Sequence, residues 1–140
     1  MSALEKCAGV LAEIAVERGR QDAKWGEQNH PDVDRVLTDR VGREGYDGKV
    51  RPGGCTAARM AEEYGIPTAQ RARANCDGAA KLGQCTWAHI AVEELAEAIE
   101  AATEAQQGRA PVADLRKELI QTAAVIVAWV EAIDRRGGAQ

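Results

Sequence analysis

Residues 86–134, TWAHIAVEELAEAIEAATEAQQGRAPVADLRKELIQTAAVIVAWVEAID, decide how this chain is read. Trp87, Ile90, Ala91, Leu95, Ala98, Ile99 and Ala102 recur at three- and four-residue steps, the period of a helix buried along one face. Thr86 stands as its N-cap, in a capping-box arrangement that lacks the usual Glu three residues on. The helix runs to about Gln107, and Gly108 and Pro111 break it. A last helix starts at Asp114 or a neighbour and continues to Asp134, with Leu115, Leu119, Thr122, Val125, Ile126, Trp129 and Ile133 facing inward. So short a break makes the two long helices antiparallel neighbours, a hairpin at the C-terminus.

Acidic residues interrupt both apolar stripes. On a helical wheel Glu94 falls inside the first stripe and Glu97 at its edge, while Glu118 sits amid the second with Gln121 on its flank. A carboxylate turned toward a core is costly unless a counter-charge or a metal satisfies it. Two helices that each offer a pair of oxygen side chains one turn apart suit a hard divalent cation. Mg²⁺ fits best, with Mn²⁺ as a substitute, because it takes oxygen ligands and bridges carboxylates to phosphates. Zn²⁺ fits less well, since neither His nor Cys lies on these faces. The competing explanation for an acidic row on an Ala-rich helix is a solvated face, and it suffices for Glu100 and Glu104. It fits Glu94 and Glu118 poorly, although a buried Glu can also pair with Arg116 or Lys117 of a neighbouring chain.

Working outward, residues 3–24 read as a first helix through Leu4, Cys7, Ala8, Leu11, Ile14, Ala15 and Arg18. Its polar end runs from Glu17 through Trp25 into Gly26, and Asn29, His30 and Pro31 make a turn. Residues 42–54 hold five Gly and Pro52 with little apolar content, too little to offset the entropy of ordering, so a mobile loop is expected there. Residues 56–64 look like a short helix ended by Gly65 and Pro67, and Thr68 caps a following helix through about Leu82. The expected fold is all-α: a bundle of four to five helices forming one domain over residues 1–140.

The composition agrees. A chain of 140 residues suffices for one core burying about two-thirds of the surface its unfolded form exposes. Apolar residues are 45% of the chain, yet the aromatics are three Trp and two Tyr with no Phe. Ala, Leu, Ile and Val must therefore fill the interior, as suits closely packed helices. Lys and Arg number 18 against 22 Asp and Glu, a formal charge of -4, which supplies no general attraction to nucleic acid or an anionic membrane. No apolar run approaches the roughly 18 residues of a membrane span. Cys7, Cys55, Cys76 and Cys85 form no CxxC pair and have no zinc-like spacing from His30 or His89. Reduced thiols and a cytoplasmic location are expected, with Cys76 and Cys85 as small core residues.

Here a family likeness enters. Glu93, Glu94 and Glu97 in EELAE, followed by Lys117 to Gln121 as KELIQ, resemble the EExxE and ExxD signature of the MazG-like all-α nucleotide pyrophosphohydrolases. TWAHI before the acidic motif, and the segment Arg20, Gln21, Asp22, Ala23, Lys24, Trp25, Gly26, Glu27, Gln28, resemble phage and actinobacterial members. The likeness covers roughly residues 17–30 and 56–135. It implies hydrolysis of an NTP or dNTP between the α- and β-phosphates, giving a nucleoside monophosphate and pyrophosphate. It also implies Glu94, Glu97 and Glu118 as metal-binding acids, with Gln121 in the place of the usual Asp. Glu93 or Glu97 would orient or deprotonate the attacking water. Trp25 can stack on a base and Gln21 read its polar edge, while Lys24, Lys117 and Arg135 stand as candidates for the phosphates, alongside Arg116.

Two departures matter. Gln121 keeps an oxygen donor but removes a negative charge, so Mg²⁺ should bind more weakly unless Asp114 or Glu93 compensates. The downstream Lys and Arg that some relatives use on phosphates are missing. The alternative to an enzyme is therefore an impaired nucleotide-binding or adaptor protein on the same scaffold. A third reading makes the last two helices an oligomerisation hairpin. A homodimer or homotetramer is expected in any case, because a lone hairpin cannot cover such broad apolar faces. Gly48 and Lys49 do not make a phosphate loop, since Arg43 replaces its first Gly and Val50 its Ser or Thr. His89 reads as a solvated or ion-paired residue, His30 has no named partner, and no Ser, His and Asp grouping supports a triad.

Overall fold

The computed structural model describes residues 1–34, 43–44, 50–51 and 57–138. Within them the chain is all-helical but for one strand pair. The helices are α1 (Ala3–Trp25), α2 (Ala57–Tyr64), α3 (Ala69–Lys81), α4 (Trp87–Gln106) and α5 (Val112–Gly138). Strands β1 (Arg43–Glu44) and β2 (Val50–Arg51) pair antiparallel, Arg43 opposite Arg51 and Glu44 opposite Val50. They fall inside the segment expected as a mobile loop, the rest of which lies outside the described residues, as do Gly48, Lys49 and Cys55.

Local chemistry explains the helix boundaries. Ser2 and Glu5 form a reciprocal capping box at the start of α1, satisfying amide groups that the first turn leaves without partners. Thr68 Oγ1 accepts from the Arg71 amide at 3.1 Å to begin α3. At α4 the box is complete, contrary to the sequence expectation. Thr86 Oγ1 accepts from the His89 amide at 3.2 Å and His89 Nδ1 accepts from the Thr86 amide at 3.1 Å. An imidazole nitrogen thus does the work of the missing Glu carboxylate, which gives His89 a structural task. Helix α5 begins at Val112, earlier than Asp114, and passes Asp134 to Gly138. Gly83 between α3 and α4, and Gly108 after α4, take positive φ values of 67° and 72°, where a Cβ is strained.

The chain divides into two compact units, residues 31–122 and residues 1–30 with 123–140. In the first, α3 and α4 form the closest helix pair. Ala69 and Ala72 of α3 meet Ala96 of α4, with Ile66 beside them; three methyl-sized side chains let the backbones approach. A second cluster joins Val33, Met60 of α2, Ala102 of α4 and Leu115 of α5. Helix α4 is therefore covered on two sides. Leu115 meets Ala102, while Glu118 lies by Glu97 and Glu94; numbering rises along α5 as it falls along α4. The first part of α5 runs opposite to α4, but the closely packed hairpin is the preceding one, α3 with α4, rather than the C-terminal pair expected from the sequence.

In the other unit, Val10 of α1 and Val127 and Ala132 of α5 are the buried apolar residues. This differs from the faces expected from periodicity. Leu4, Leu11 and Ile14 on α1, and Ile126 and Ile133 on α5, are exposed in the single chain. A wheel orders side chains by angle; which sector is covered depends on the neighbour. No helix among the described residues is long and apolar enough to cross a membrane.

Candidate metal centre

Glu94 and Glu97 leave α4 one turn apart, and Glu118 leaves the first part of α5 to face them. One carboxylate oxygen from each lies within 4.8 Å of the other two. Oxygens around one octahedral Mg²⁺ lie about 3.0 Å apart at adjacent positions and about 4.2 Å apart across the ion, from a bond of about 2.1 Å, so rotation of these side chains would have to draw the three closer to place them on one ion. Oε2 of Glu94 and Oε2 of Glu118 are shut off from solvent and have no hydrogen-bond partner among the described residues. Buried carboxylate oxygens of this kind ordinarily find a donor or a cation. The donor set, all oxygen and all anionic, is the one a hard cation takes.

Electrostatics at the cluster follow from its geometry. Burial first, then the charges of Glu97, Glu118 and Glu93, push the Glu94 carboxyl above its ordinary pKa. A cation among the three would reverse the sense of that local field.

The sequence reading missed Arg73, on α3. Its Nη2 donates to Glu97 Oε1 at 2.9 Å and its Nε lies 3.8 Å from Glu93 Oε1. The hydrogen bond to Glu97, then its charge, raise the guanidinium pKa. Nothing in periodicity along α3 links Arg73 to a helix that begins beyond a Gly83 turn. Glu100 was also misread. Rather than standing in water, its Oε1 accepts from the Ala69 amide at 3.0 Å in a partly buried position. It therefore supplies negative charge and an acceptor to the N-terminus of α3. Glu104 fits the solvated reading, half-exposed and 3.6 Å from Arg109.

Gln121, the fourth expected ligand, is exposed, on the turn of α5 that follows Glu118. Lys117 and Arg116 are exposed beside it. Gln21, Lys24, Trp25 and Arg135 belong to the other compact unit. There Gln21 accepts from Arg18 Nη1 at 2.7 Å and donates to Glu17 Oε1 at 3.3 Å. Lys24 Nζ stands 4.9 Å over the ring of Trp25, a cation–π contact on an exposed aromatic. Arg135 lines a groove with Val10, Glu131 and Asp134. Cys76 is buried as expected, its thiol 3.1 Å from the His89 carbonyl. Burial first, and Glu93 after it, push that thiol up to about 12. Cys85, expected in the core, is exposed, because it lies in the turn between α3 and α4. Comparison with models of known protein families, with characterised proteins and with solved structures gives no match.

Proposed function

We propose that the protein is a Mg²⁺-dependent nucleotide pyrophosphohydrolase of the MazG-like kind, cleaving an NTP or dNTP between its α- and β-phosphates. The observation that carries this reading is the convergence of Glu94, Glu97 and Glu118, with two of their oxygens buried and without a hydrogen-bond partner among the described residues. Such a site suits a cation that also takes phosphate oxygens. Bound there, Mg²⁺ would neutralise phosphate charge and make the α-phosphorus more electrophilic.

The chain's own residues would do the rest. Glu93 stands beside Glu94 and Glu97, partly buried and 3.8 Å from Arg73; as a carboxylate it can orient the attacking water and take its proton, with Glu97 as the other candidate. The water oxygen bonds to the α-phosphorus, the bond to the bridging oxygen breaks, and pyrophosphate leaves. Lys117, exposed one residue before Glu118, is proposed for the phosphates. The reading also expects a homodimer or homotetramer, in which the exposed apolar residues of α1 and α5 are covered, and a cytoplasmic location that suits free thiols.

The test is a panel of NTPs and dNTPs with Mg²⁺, read as pyrophosphate released. Release with at least one nucleotide is expected, as is its abolition by Glu97→Gln. Well-folded protein that releases none from any nucleotide would end the enzyme reading. Gln121, exposed and uncharged where an acid is usual, favours the second reading of a nucleotide binder without turnover; calorimetry would then show binding and no hydrolysis.

A further inference from the structure

Four carboxylates, Glu93, Glu94, Glu97 and Glu118, crowd one region of the α4–α5 pair, and the cation that meets them comes from a third helix. Arg73 reaches across from α3 to donate to Glu97 at 2.9 Å and to stand 3.8 Å from Glu93. It leaves the buried Oε2 atoms of Glu94 and Glu118 without hydrogen-bond partners among the described residues, so one guanidinium offsets only part of the negative charge. Arg73 is itself about half-exposed, and Glu93 and Glu97 are mostly covered. An always-charged, half-exposed fork on the rim of an acidic site can pair with either of two kinds of anion, the carboxylates beneath it or one arriving from solvent.

We propose that Arg73 is an exchangeable counter-cation and the phosphate-binding residue of this site: it holds Glu97 and Glu93 while no divalent ion is bound, and passes to a substrate phosphate when one is. The exchange rests on the reading that Glu94, Glu97 and Glu118 hold a divalent cation. A dipositive ion among those oxygens lowers the negative potential that retains the guanidinium, because like charges a few ångströms apart repel. Arg73 is half-exposed where it pairs with Glu97, and a phosphate would offer its fork two oxygens in place of one carboxylate oxygen. Substrates of the class organic polyphosphate would then be recognised jointly by the acids, through the cation, and by Arg73 directly. This also supplies the positive charge that a protein of net charge -4 needs for an anionic substrate.

The exchange predicts effects of opposite sign from one substitution. In metal-free protein titrated with Mn²⁺ alone, followed by the electron paramagnetic resonance of free Mn²⁺, Arg73→Gln should bind the ion about two- to fivefold more tightly, the range an exposed ion pair of this kind is worth. With saturating Mg²⁺, the same variant should bind inorganic tripolyphosphate about tenfold more weakly by calorimetry, having lost a charged hydrogen bond. A merely structural Arg73, pinning α3 to α4, would weaken both together. Unchanged or weaker Mn²⁺ binding overturns the exchange, as does unchanged tripolyphosphate binding. Absence of Mn²⁺ binding in wild type and variant alike overturns the metal centre itself, a different result. Arg73→Lys, which keeps the charge and loses the fork, should show both shifts in smaller size and serves if Arg73→Gln does not fold.

Discussion

Replacing Glu94 by Gln should stabilise the metal-free protein and remove its response to divalent cations. The three cluster oxygens lie within 4.8 Å of one another. At that spacing, and at an effective dielectric constant near 20, each pair of full charges repels by about 3.5 kcal/mol. Glu94→Gln removes two of the three repulsions. Solvent at the edge of the cluster, and Arg73 beside Glu97, reduce the net gain to about 1–2 kcal/mol, or roughly 3–6 °C in Tm for a chain of this size. With the cation present the order inverts: Mn²⁺ at a hundred times its Kd should stabilise wild type by about 2.7 kcal/mol and the variant by much less. The pH dependence has a definite sign. Burial and then the neighbouring carboxylates raise the Glu94 pKa above 4.5, so the folded state holds that proton more tightly than the unfolded state. Wild type therefore loses stability as pH climbs from 4.5 through the folded value, and the variant does not. Thermal melts of both proteins after dialysis against chelator, from pH 4 to 8 and with or without Mn²⁺, read all of this. Equal Tm values at neutral pH, or equal gains from Mn²⁺, would refute the reasoning.

Gln121→Asp should raise the rate of pyrophosphate release and tighten Mg²⁺ binding if the protein is an enzyme held back by a missing charge; persistent inactivity with intact nucleotide binding favours the binder. Glu100→Ala should cost about 1 kcal/mol in urea unfolding, the worth of an N-terminal acceptor, since it strips the Ala69 amide of its 3.0 Å partner; a neutral result would mean that water replaces the carboxylate. Cys76, buried with its thiol pushed up to about 12, should resist iodoacetamide at pH 8 in the folded protein, while the exposed Cys85 reacts. Peptide mapping after alkylation separates the two.

Much of the helical layout was legible from local rules. Thr68 and Thr86 mark the starts of α3 and α4, and Gly108 the turn after α4, because capping and positive φ are settled within a few residues. The three acids were legible for a related reason. Helical geometry fixes the angle at which Glu94 and Glu118 leave their axes, and an acid among apolar neighbours stands out on a wheel. The short 107–111 connection then brings Glu118, in the first part of α5, back beside Glu94 and Glu97.

What a chain of residues determines by itself here is angle, spacing and donor type: which side chains share a stripe, and that their oxygens suit a hard cation. Only tertiary structure decided what stands opposite each stripe. Arg73 meets Glu97, Glu100 meets the start of α3, and Val10 is buried while Leu11 is exposed, because each outcome depends on how one helix is rotated and offset against another. That offset is set by the sum of many small contacts such as Ala72 with Ala96, and no single residue announces it.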